Sequence, residues 1–498
     1  MKRSFAVTLA LLLLVASTAL AQTPPEPASA APLAAAPAEP LAGYANGNFF
    51  LRDPHDWFVL FPKARLQVDY YNFPNRGDSV TAGSMPMAVQ PNSSKDPRNS
   101  IRDTIFVRRA RVELQGTFMQ HFDFHVAGEY ATVPATGAIG AVTDAYVIVD
   151  YLPYLKLQAG QFDLPFTLEN RTSDKYFDFM ERSVAVRSFA VPTNKDLGAM
   201  VFGWAPKKVG YYSLGVFNGD GQSFKNQDNN PALVGRVFVA PLAWMAGSNR
   251  WMEDIWIGAS FWWQRNENLG GPVAASVSGA AQADLPAMTT QGGFGFFSSN
   301  YNNGKDAGMN TVRTHLAPWG DTLKWALEAN LPWKKIGLRF EFVHQNIALA
   351  EYNDTNPVNA MLTRTVGSAG TLDGYGTYLE LYGWILGDVN FLETPGLEAA
   401  PRIKKFSPAA EPKWGLMLAA KYENINFDVT GLTPGNLALG NYLLHVFEFG
   451  VNAWATKHVR MTGNYVMNYL DGDSPQAKGN LFFQRPEHEL LFRLGVAL

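Results

Sequence analysis

Residues 109–118 read Arg-Ala-Arg-Val-Glu-Leu-Gln-Gly-Thr-Phe, and after a three-residue gap residues 122–130 read Phe-Asp-Phe-His-Val-Ala-Gly-Glu-Tyr. Polar and apolar side chains alternate along both runs. A period of two places each class on its own face of a β-strand, whereas a helix requires a period of about 3.6 residues. The two runs therefore predict a β-hairpin with one polar face, one apolar face and a tight turn.

The same alternation recurs along the chain and predicts sixteen strands. They lie near residues 57–73, 104–118, 121–132, 142–151, 154–161, 197–205, 210–217, 231–240, 253–264, 322–331, 335–346, 374–386, 411–424, 442–455, 457–469 and 485–498. Short connections such as 152–153 alternate with long ones such as 265–321 and 347–373, although 387–410 is long where a short turn is expected. This arrangement is typical of outer-membrane barrels. The prediction is an all-β fold, a sixteen-stranded antiparallel transmembrane β-barrel.

A closed barrel pairs every backbone donor and acceptor, as a hydrocarbon environment requires. The apolar face of each strand is then expected to contact lipid and the polar face to line an aqueous lumen. Aromatic residues near predicted strand ends, including Tyr70, Tyr151, Trp204 and Trp333, suit the two interfacial girdles of such a barrel.

Composition excludes several other classes of protein. Hydrophobic residues make up 47% of the chain and charged residues only 17%, and beyond the N-terminus no apolar run reaches the roughly 18 residues of a transmembrane helix. There is no cysteine, which excludes disulfides, thiolate metal sites and a cysteine nucleophile. A net charge of -3 gives no basic footprint for nucleic acid.

The N-terminus has the features of a secretion signal. Lys2 and Arg3 precede an apolar run, and Ala19 and Ala21 supply small residues at a cleavage site. We predict a cleaved signal peptide over residues 1–21, an Ala/Pro-rich flexible periplasmic leader over 22–55 and the barrel domain over 56–498.

Several motifs resemble the phosphate-selective porin O and P family. They are Phe106-Val-Arg-Arg-Ala-Arg-Val-Glu-Leu-Gln-Gly116, Gly160-Gln-Phe-Asp-Leu-Pro-Phe-Thr-Leu-Glu169, Phe179-Met-Glu-Arg-Ser183 and, more weakly, residues 413–422 and 459–465. The resemblance implies a sixteen-stranded trimeric outer-membrane porin with an anion path lined by arginine and lysine. It matches Arg108 and Arg109 to the family's arginine pair and Lys175 to a lysine of its pore loop.

The candidate anion-binding residues of the lumen are Arg109, Arg111, Lys175, Arg236 and Arg339. Arg109 and Arg111 lie about 7 Å apart on one face of a strand, and guanidinium groups bind oxyanions through paired N–H donors. Inward-facing acids are about as numerous as inward-facing cations, so pairing of these arginines along the wall is an equally good interpretation. Arg108 has the parity of the lipid-facing side chains, which predicts that it snorkels to the interface or precedes the regular alternation.

The long connection at residues 162–196 is the best candidate for a functional loop. The resemblance implies that it folds into the pore, where its charged candidates are Asp163, Glu169, Arg171, Glu181 and Arg182.

The leading functional hypothesis is an outer-membrane porin for passive diffusion of small hydrophilic solutes and ions. Alternatives are a phosphate- or anion-selective channel and, less favoured, a structural or adhesive barrel that presents long loops. Expected partners are inorganic anions or hydrophilic solutes, outer-membrane lipid and two further copies in a homotrimer, with no nucleic acid. No cofactor, metal or catalytic motif is apparent: His121 and His125 would lie about 13 Å apart on a strand, too far to share one ion.

Overall fold

A computed structural model describes residues 40–45, 48–74, 103–131, 141–189, 194–223, 226, 230–247, 249–266, 273–274, 285–305, 311–355, 361–387, 396, 414–480 and 482–498. Strands are numbered along the chain. Six short ones are β1 (Ala42–Ala45), β2 (Asn48–Arg52), β12 (Val273–Ala274), β13 (Met288–Thr289), β14 (Gly295–Phe297) and β15 (Asn300–Lys305).

Sixteen of the described strands form a closed antiparallel β-barrel. They are β3 (Phe58–Asn72), β4 (Thr104–Phe118), β5 (Phe122–Glu129), β6 (Ala141–Leu152), β7 (Leu155–Asp163), β8 (Lys195–Trp204), β9 (Gly210–Phe217), β10 (Ala232–Val239), β11 (Trp256–Asn266), β16 (Thr311–Trp333), β17 (Ile336–Thr355), β18 (Met361–Leu386), β19 (Gly415–Thr430), β20 (Gly440–Thr456), β21 (Val459–Gly472) and β22 (Pro486–Ala497). Each pairs with its neighbour in sequence, and β22 closes the barrel against β3 from Leu490↔Asn72 to Ala497↔Arg65. The predicted sixteen-stranded barrel is confirmed.

Apolar and polar side chains lie on opposite faces of the barrel wall, as the two-residue repeat of a β-strand requires. On β16, Leu327 is 46% exposed on the outside whereas its neighbour Glu328 is 3% exposed, and Glu341 opposite it on β17 is fully buried. The outer face is therefore apolar and the inner face polar, as lipid outside and water or polar groups inside demand.

Three strands run further than predicted. Residues 347–373, predicted as a long loop, lie mostly in strand, because β17 extends to Thr355 and β18 begins at Met361. Likewise β16 begins at Thr311, within the predicted loop 265–321. Backbone pairing continues there from Arg313↔Asp354 to Pro318↔Leu349, and a register shift between Pro318 and Thr322 lies where the predicted strand begins.

Part of the range predicted as a leader, Ala42–Ala45 and Asn48–Arg52, lies in strands. β1 and β2 form a hairpin, and β2 pairs with β3 through Leu51↔Leu60 and Arg52↔Val59. Phe50 packs, 2% exposed, against Phe61 and Val59. Apolar packing and strand pairing together hold this stretch against β3.

The described helices are short: α1 (Val184–Phe189), α2 (Arg250–Glu253), α3 (Pro475–Lys478) and 3₁₀ turns at Pro206–Lys208 and Ala243–Met245. None of the helices in the described ranges is long and apolar enough to span a membrane. Of the connection 387–410 only Gly387 and Gly396 are described, so its length as a turn lies outside the described residues.

A buried apolar cluster joins the wall to two connections. It combines inward-facing Phe217, Trp262 and Phe427 with residues 162–189 and 285–301. The lumen predicted to be aqueous is therefore partly packed with side chains, since two connections bring apolar groups to the inner face of the barrel.

Candidate functional site

Residues 164–189, here called the interior segment, follow β7 and contact inward-facing side chains of the wall. The backbone N–H of Leu168 donates to Glu341 on β17 (2.5 Å), and that of Ala185 donates to Glu423 on β19 (3.0 Å). An irregular segment has no strand partner for its N–H groups, so buried ones need side-chain acceptors. Carboxylates on the inner face of the barrel supply them.

Glu181 of the interior segment lies between two wall arginines. It accepts hydrogen bonds from Nε and Nη2 of Arg108 (2.9 and 3.0 Å) and from Nη2 of Arg493 (2.8 Å). Arg493 also binds both oxygens of Asp69, at 2.7 Å each. Burial alone would raise the pKa of Glu181, but the positive charges of Arg108, Arg109 and Arg493 outweigh it and hold the pKa well below its usual value.

Of the two positions predicted for Arg108, the structure does not show the one at the lipid interface, and it has Arg108 where the regular alternation of side chains is interrupted. The register of β3 and β4 shifts between Gln67↔Arg109 and Val68↔Val107, which leaves Arg108 as the extra residue of a β-bulge. A bulge interrupts the alternation of side chains. Arg108 and Arg109 therefore both reach carboxylates of the interior segment.

Asp174 forms a second anchor of the interior segment. It pairs with Nε of Arg109 (2.5 Å) and with Arg65, which also pairs with Glu113 (2.7 Å). Burial would raise the pKa of Asp174, but Arg109 and Arg65 hold it well below its usual value. Arg111 pairs along the wall with Glu129 (3.3 Å).

Arg236 and Arg339 face inward and are also paired with acids. Both Nε and Nη2 of Arg236 donate to Glu328, the closest contact being 2.6 Å. Nη1 of Arg339 donates to Asp178 of the interior segment (2.5 Å) and to Glu380 (2.7 Å). Four of the five candidate anion-binding residues, Arg109, Arg111, Arg236 and Arg339, thus have a carboxylate partner.

The other charged candidates of the loop mainly hold its own backbone. Asp163 pairs with Lys195 (2.9 Å), and Arg171 donates to the carbonyl of Asp163. Arg182 donates to the carbonyl of Glu169 (3.2 Å), whose carboxylate accepts from the N–H of Ser183 (2.8 Å). Burial raises the pKa of Glu169. These groups fix the shape of the segment more than they offer charge to a solute.

A cavity of about 750 Å³, counted with the solvent at its mouth, opens at the barrel end that carries the turn 457–458 and the C-terminus. We call it the mouth cavity. Among the described side chains that line it, the cations are Lys63, Arg65, Lys175, Lys457, Arg460 and Arg493, and the only carboxylate side chain is that of Asp174.

Lys175 and Arg460 differ from the other arginines and lysines discussed above. Arg460 donates to Asn452 (3.0 Å) and to the backbone carbonyls of Lys175 (3.1 Å) and Phe177. The ammonium of Lys175 lies 5.7 Å from the centre of the Tyr176 ring. Within the described ranges neither cation forms an ion pair with a carboxylate, so both leave their charge to the cavity.

One residue of the connection between β18 and β19 also lies against the interior segment. The N–H of Gly396 donates to Oγ1 of Thr172 (2.7 Å), and its carbonyl accepts from Nη1 of Arg236 (2.5 Å). A Cβ there would lie 2.7 Å from Nη2 of Arg236, and φ is +68°, so a glycine suits this close approach.

Sequence analysis identified Glu181 as a candidate but missed Asp174 and Asp178, the other two acids that pair the interior segment with wall arginines, and the contacts of residues 285–305. Asp174 and Asp178 lie in a loop, where the sequence has no strand periodicity from which the direction of a side chain can be predicted. Arg460 and Arg493, by contrast, have the inward parity of their strands, which is a usable signal. In the described part of the chain no group of three or more His, Asp or Glu side chains is arranged to hold a metal ion.

Residues 91–293 match the family Phosphate-selective porin O and P. The barrel with its apolar outer face and this porin match together identify an outer-membrane channel. No curated protein matches the chain.

Solved structures similar to this porin were also found. A loop L8 deletion mutant of OmpT from Vibrio cholerae has a TM-score of 0.48 at 10% identity, covering 89% of this chain and 100% of its own. Salmonella typhi OmpF in complex with daunomycin has a TM-score of 0.46 at 10% identity, covering 92% and 100%. An anion-selective porin from Comamonas acidovorans has a TM-score of 0.44 at 9% identity, covering 89% and 100%.

Proposed function

We propose that this porin lets small hydrophilic solutes and ions diffuse passively across the outer membrane, with a weak preference for anions. The observation that carries the proposal is the composition of the mouth cavity, where six cationic side chains face one acidic side chain. A pore entrance lined by one sign of charge raises the local concentration of the opposite ion.

The preference is weak because most of the positive charge is compensated nearby. Arg65 is paired with Glu113 and Asp174, and Arg493 is paired with Asp69. A guanidinium already bound to a carboxylate has few N–H donors left for a passing anion. Lys175 and Arg460 form no ion pair in the described part of the chain, although Glu113 acts electrostatically on Lys175 and Asp178 on Arg460. Salt near 0.1 M screens their charge over about 10 Å.

The interior segment is the proposed constriction. Its contacts with Glu341, Glu423 and Asn452 tie it to β17, β19 and β20, so its position across the lumen does not depend on a single bond. Lys175 of this segment lines the mouth cavity, where its ammonium would face a passing solute.

A phosphate- or anion-selective channel is the second candidate. It is favoured by the neutral partners of Lys175 and Arg460, whose charge remains available to an oxyanion. It is opposed by the arginine pair, because Arg108 is held by Glu181 and Arg109 by Asp174. An adhesive role is disfavoured, since residues 285–301 pack into the buried apolar cluster.

The proposal includes secretion and assembly. Cleavage after Ala21 would release the chain into the periplasm before insertion, and three copies would form the trimer that the family resemblance implies. These steps need no catalytic group, and a channel rather than an enzyme is the activity that the porin match supports.

Reversal potentials in a KCl gradient across a planar bilayer test the proposal. We expect steps of open-channel current with a modest anion preference, and Arg460→Gln should reduce that preference while the steps remain. Arg111→Gln is the matched control, because Arg111 is already paired with Glu129. Absence of conductance steps, or a cation preference in the unaltered protein, would contradict the proposal.

A further inference from the structure

The inner wall carries a pair of acids that the channel function does not use. Glu487 and Glu489 face inward from β22 and are 1% and 0% exposed. Asn468, 2% exposed, lies opposite Glu487 in the register of β21 and β22. The site lies at the end of β22 remote from the mouth cavity, next to residues 285–305.

Two oxygen atoms of this group accept no hydrogen bond. Nδ2 of Asn468 donates to Oε2 of Glu487 at 2.5 Å. Oδ1 of Asn468 and Oε1 of Glu487 are then buried with no hydrogen-bond partner in the part of the chain that the structure describes. A buried acceptor without a partner costs about 1–3 kcal/mol, more for a charged group. Two such oxygens, one on each of two side chains that are hydrogen-bonded to each other, indicate a ligand site.

The charge of the two carboxylates is not balanced by an ion pair. Glu489 accepts from Oγ1 of Thr290 (2.5 Å) and from the N–H of Gly292 (2.6 Å), which are neutral donors. Glu487 and Glu489 lie two residues apart on the inward face of β22, and Arg187 donates to the carbonyls of Thr289 and Thr290. No Lys, Arg or His among the described residues forms an ion pair with either acid. Adjacent buried carboxylates require a counter-ion or a shared proton.

We propose that Oε1 of Glu487 and Oδ1 of Asn468, together with the carboxylate of Glu489, bind a hard divalent cation such as Ca²⁺. Carboxylate and amide carbonyl oxygens are the ligands that Ca²⁺ prefers, and water completes its coordination shell. Two carboxylates and one amide are few protein ligands, so the affinity should lie in the range of extracellular sites, about 10⁻⁴–10⁻³ M.

The bound cation would also hold residues 285–305 against the wall. Gly292 approaches so closely that a Cβ would lie 2.8 Å from Cδ of Glu489 and 2.8 Å from Cε1 of Phe73. The segment is therefore seated on Glu489 itself, and a cation that neutralises the two acids removes the repulsion beneath it. Calcium should stabilise this segment as well as the wall.

Calcium binding by the full-length protein in detergent micelles tests the proposal. After removal of divalent ions with EDTA, calorimetric titration with CaCl₂ should give saturable binding, and the thermal unfolding midpoint should rise with CaCl₂ but not with NaCl of equal ionic strength. Glu487→Gln should abolish both effects, whereas Asp428→Asn, which alters an exposed acid on β19, should leave both unchanged.

Asn468→Asp separates a cation site from a shared proton. A third carboxylate should tighten Ca²⁺ binding, because calcium affinity rises with the charge of the ligands. If Asn468→Asp instead lowers the unfolding midpoint and CaCl₂ does not restore it, the two acids share a proton and the proposal is overturned. Calcium effects of equal size in the unaltered protein and in Glu487→Gln would overturn it too, because the ion would then bind elsewhere.

Discussion

Arg108 and Glu181 are joined by two parallel hydrogen bonds, 2.9 and 3.0 Å long, between a bulge in the barrel wall and the interior segment. The paired geometry matches the planar guanidinium to the carboxylate and makes the contact directional. Arg493 binds the same carboxylate. Glu181 therefore contacts β4 through Arg108 and β22 through Arg493, and these are the two strands that pair with β3. The segment is thus attached at the place where the barrel closes.

Removal of the Glu181 carboxylate should destabilise the porin. Glu181→Ala leaves Arg108 and Arg493 with less compensation in a buried environment, and loss of one partner of a buried pair costs about 3–5 kcal/mol. The free energy of unfolding, measured by urea titration in lipid vesicles, should fall by that order. Glu253→Ala removes an exposed partner of Lys208 and should cost about 0–1 kcal/mol. Equal losses in the two variants would mean that Glu181 does not anchor the segment.

Acid should weaken the same anchors only at low pH. The folded-state pKa of Asp174 lies well below its usual value because of Arg109 and Arg65, so its charge stabilises the fold above the unfolded-state pKa of about 3.9. This contribution is lost as pH falls through the folded-state pKa. The stability difference between the unaltered protein and Asp174→Asn should be constant above about pH 5 and should shrink below about pH 4. A difference that already shrinks between pH 7 and pH 5 would contradict this assignment.

The two faces of the wall should respond differently to a new charge. Leu327→Arg places a cation on the lipid-facing side of β16 and should cost about 2–4 kcal/mol near the bilayer midplane. Asn48→Arg places one at a half-buried position that lines the mouth cavity, where the protein should fold normally and anion preference should increase. Folding yield in vesicles measures the first effect, and reversal potentials measure the second. Similar destabilisation by both changes would mean that the faces are assigned incorrectly.

The absence of native cysteine makes the orientation of the barrel testable with single-cysteine variants. Pro434→Cys lies in the exposed connection between β19 and β20, and Lys335→Cys in the exposed turn between β16 and β17. An impermeant maleimide added to intact cells should label the first, and should label the second only after the outer membrane is permeabilised. The opposite result would reverse the topology.

The sequence predicts the wall far better than the contents of the barrel. Side chains such as Glu328 and Arg339 face inward because strand geometry repeats every two residues, and that repeat is visible in the sequence. Arg108 escapes the rule because one extra residue in β4 shifts the alternation, and a bulge has no signature in a single sequence.

The partners of the interior segment could not be predicted for a different reason. Asp174 pairs with Arg65 and Asp178 with Arg339 because the fold brings them together across 109 and 161 residues of chain. The interior segment contains both acids and cations, which suggests ion pairs within the segment. Its acids Asp174, Asp178 and Glu181 pair instead with arginines of the barrel wall. A count of inward-facing acids and cations estimates the net charge of the lumen, but it does not identify which cation lacks an ion pair with an acid.

Anion preference should therefore depend on Lys175 and Arg460 more than on the wall arginines that are paired with acids. Arg109 is bound to Asp174 and Gln67, and Arg111 to Glu129, so neither has much charge to offer a solute. Lys175→Glu should shift the reversal potential towards cations, because it reverses a charge that lines the mouth cavity and forms no ion pair in the described part of the chain. Lys335→Glu, an equal change of charge on an exposed turn, is the matched control and should shift it little.

Phosphate provides the stricter form of this last test. If Lys175 and Arg460 supply only a diffuse positive potential, phosphate added to a chloride solution should reduce the current gradually, without saturation at low concentration. Saturable block by phosphate that Lys175→Glu removes would instead favour the anion-selective alternative. A selectivity unchanged by Lys175→Glu would mean that the interior segment does not line the constriction, since a charge reversal beside the path must alter the local ion concentrations that set the reversal potential.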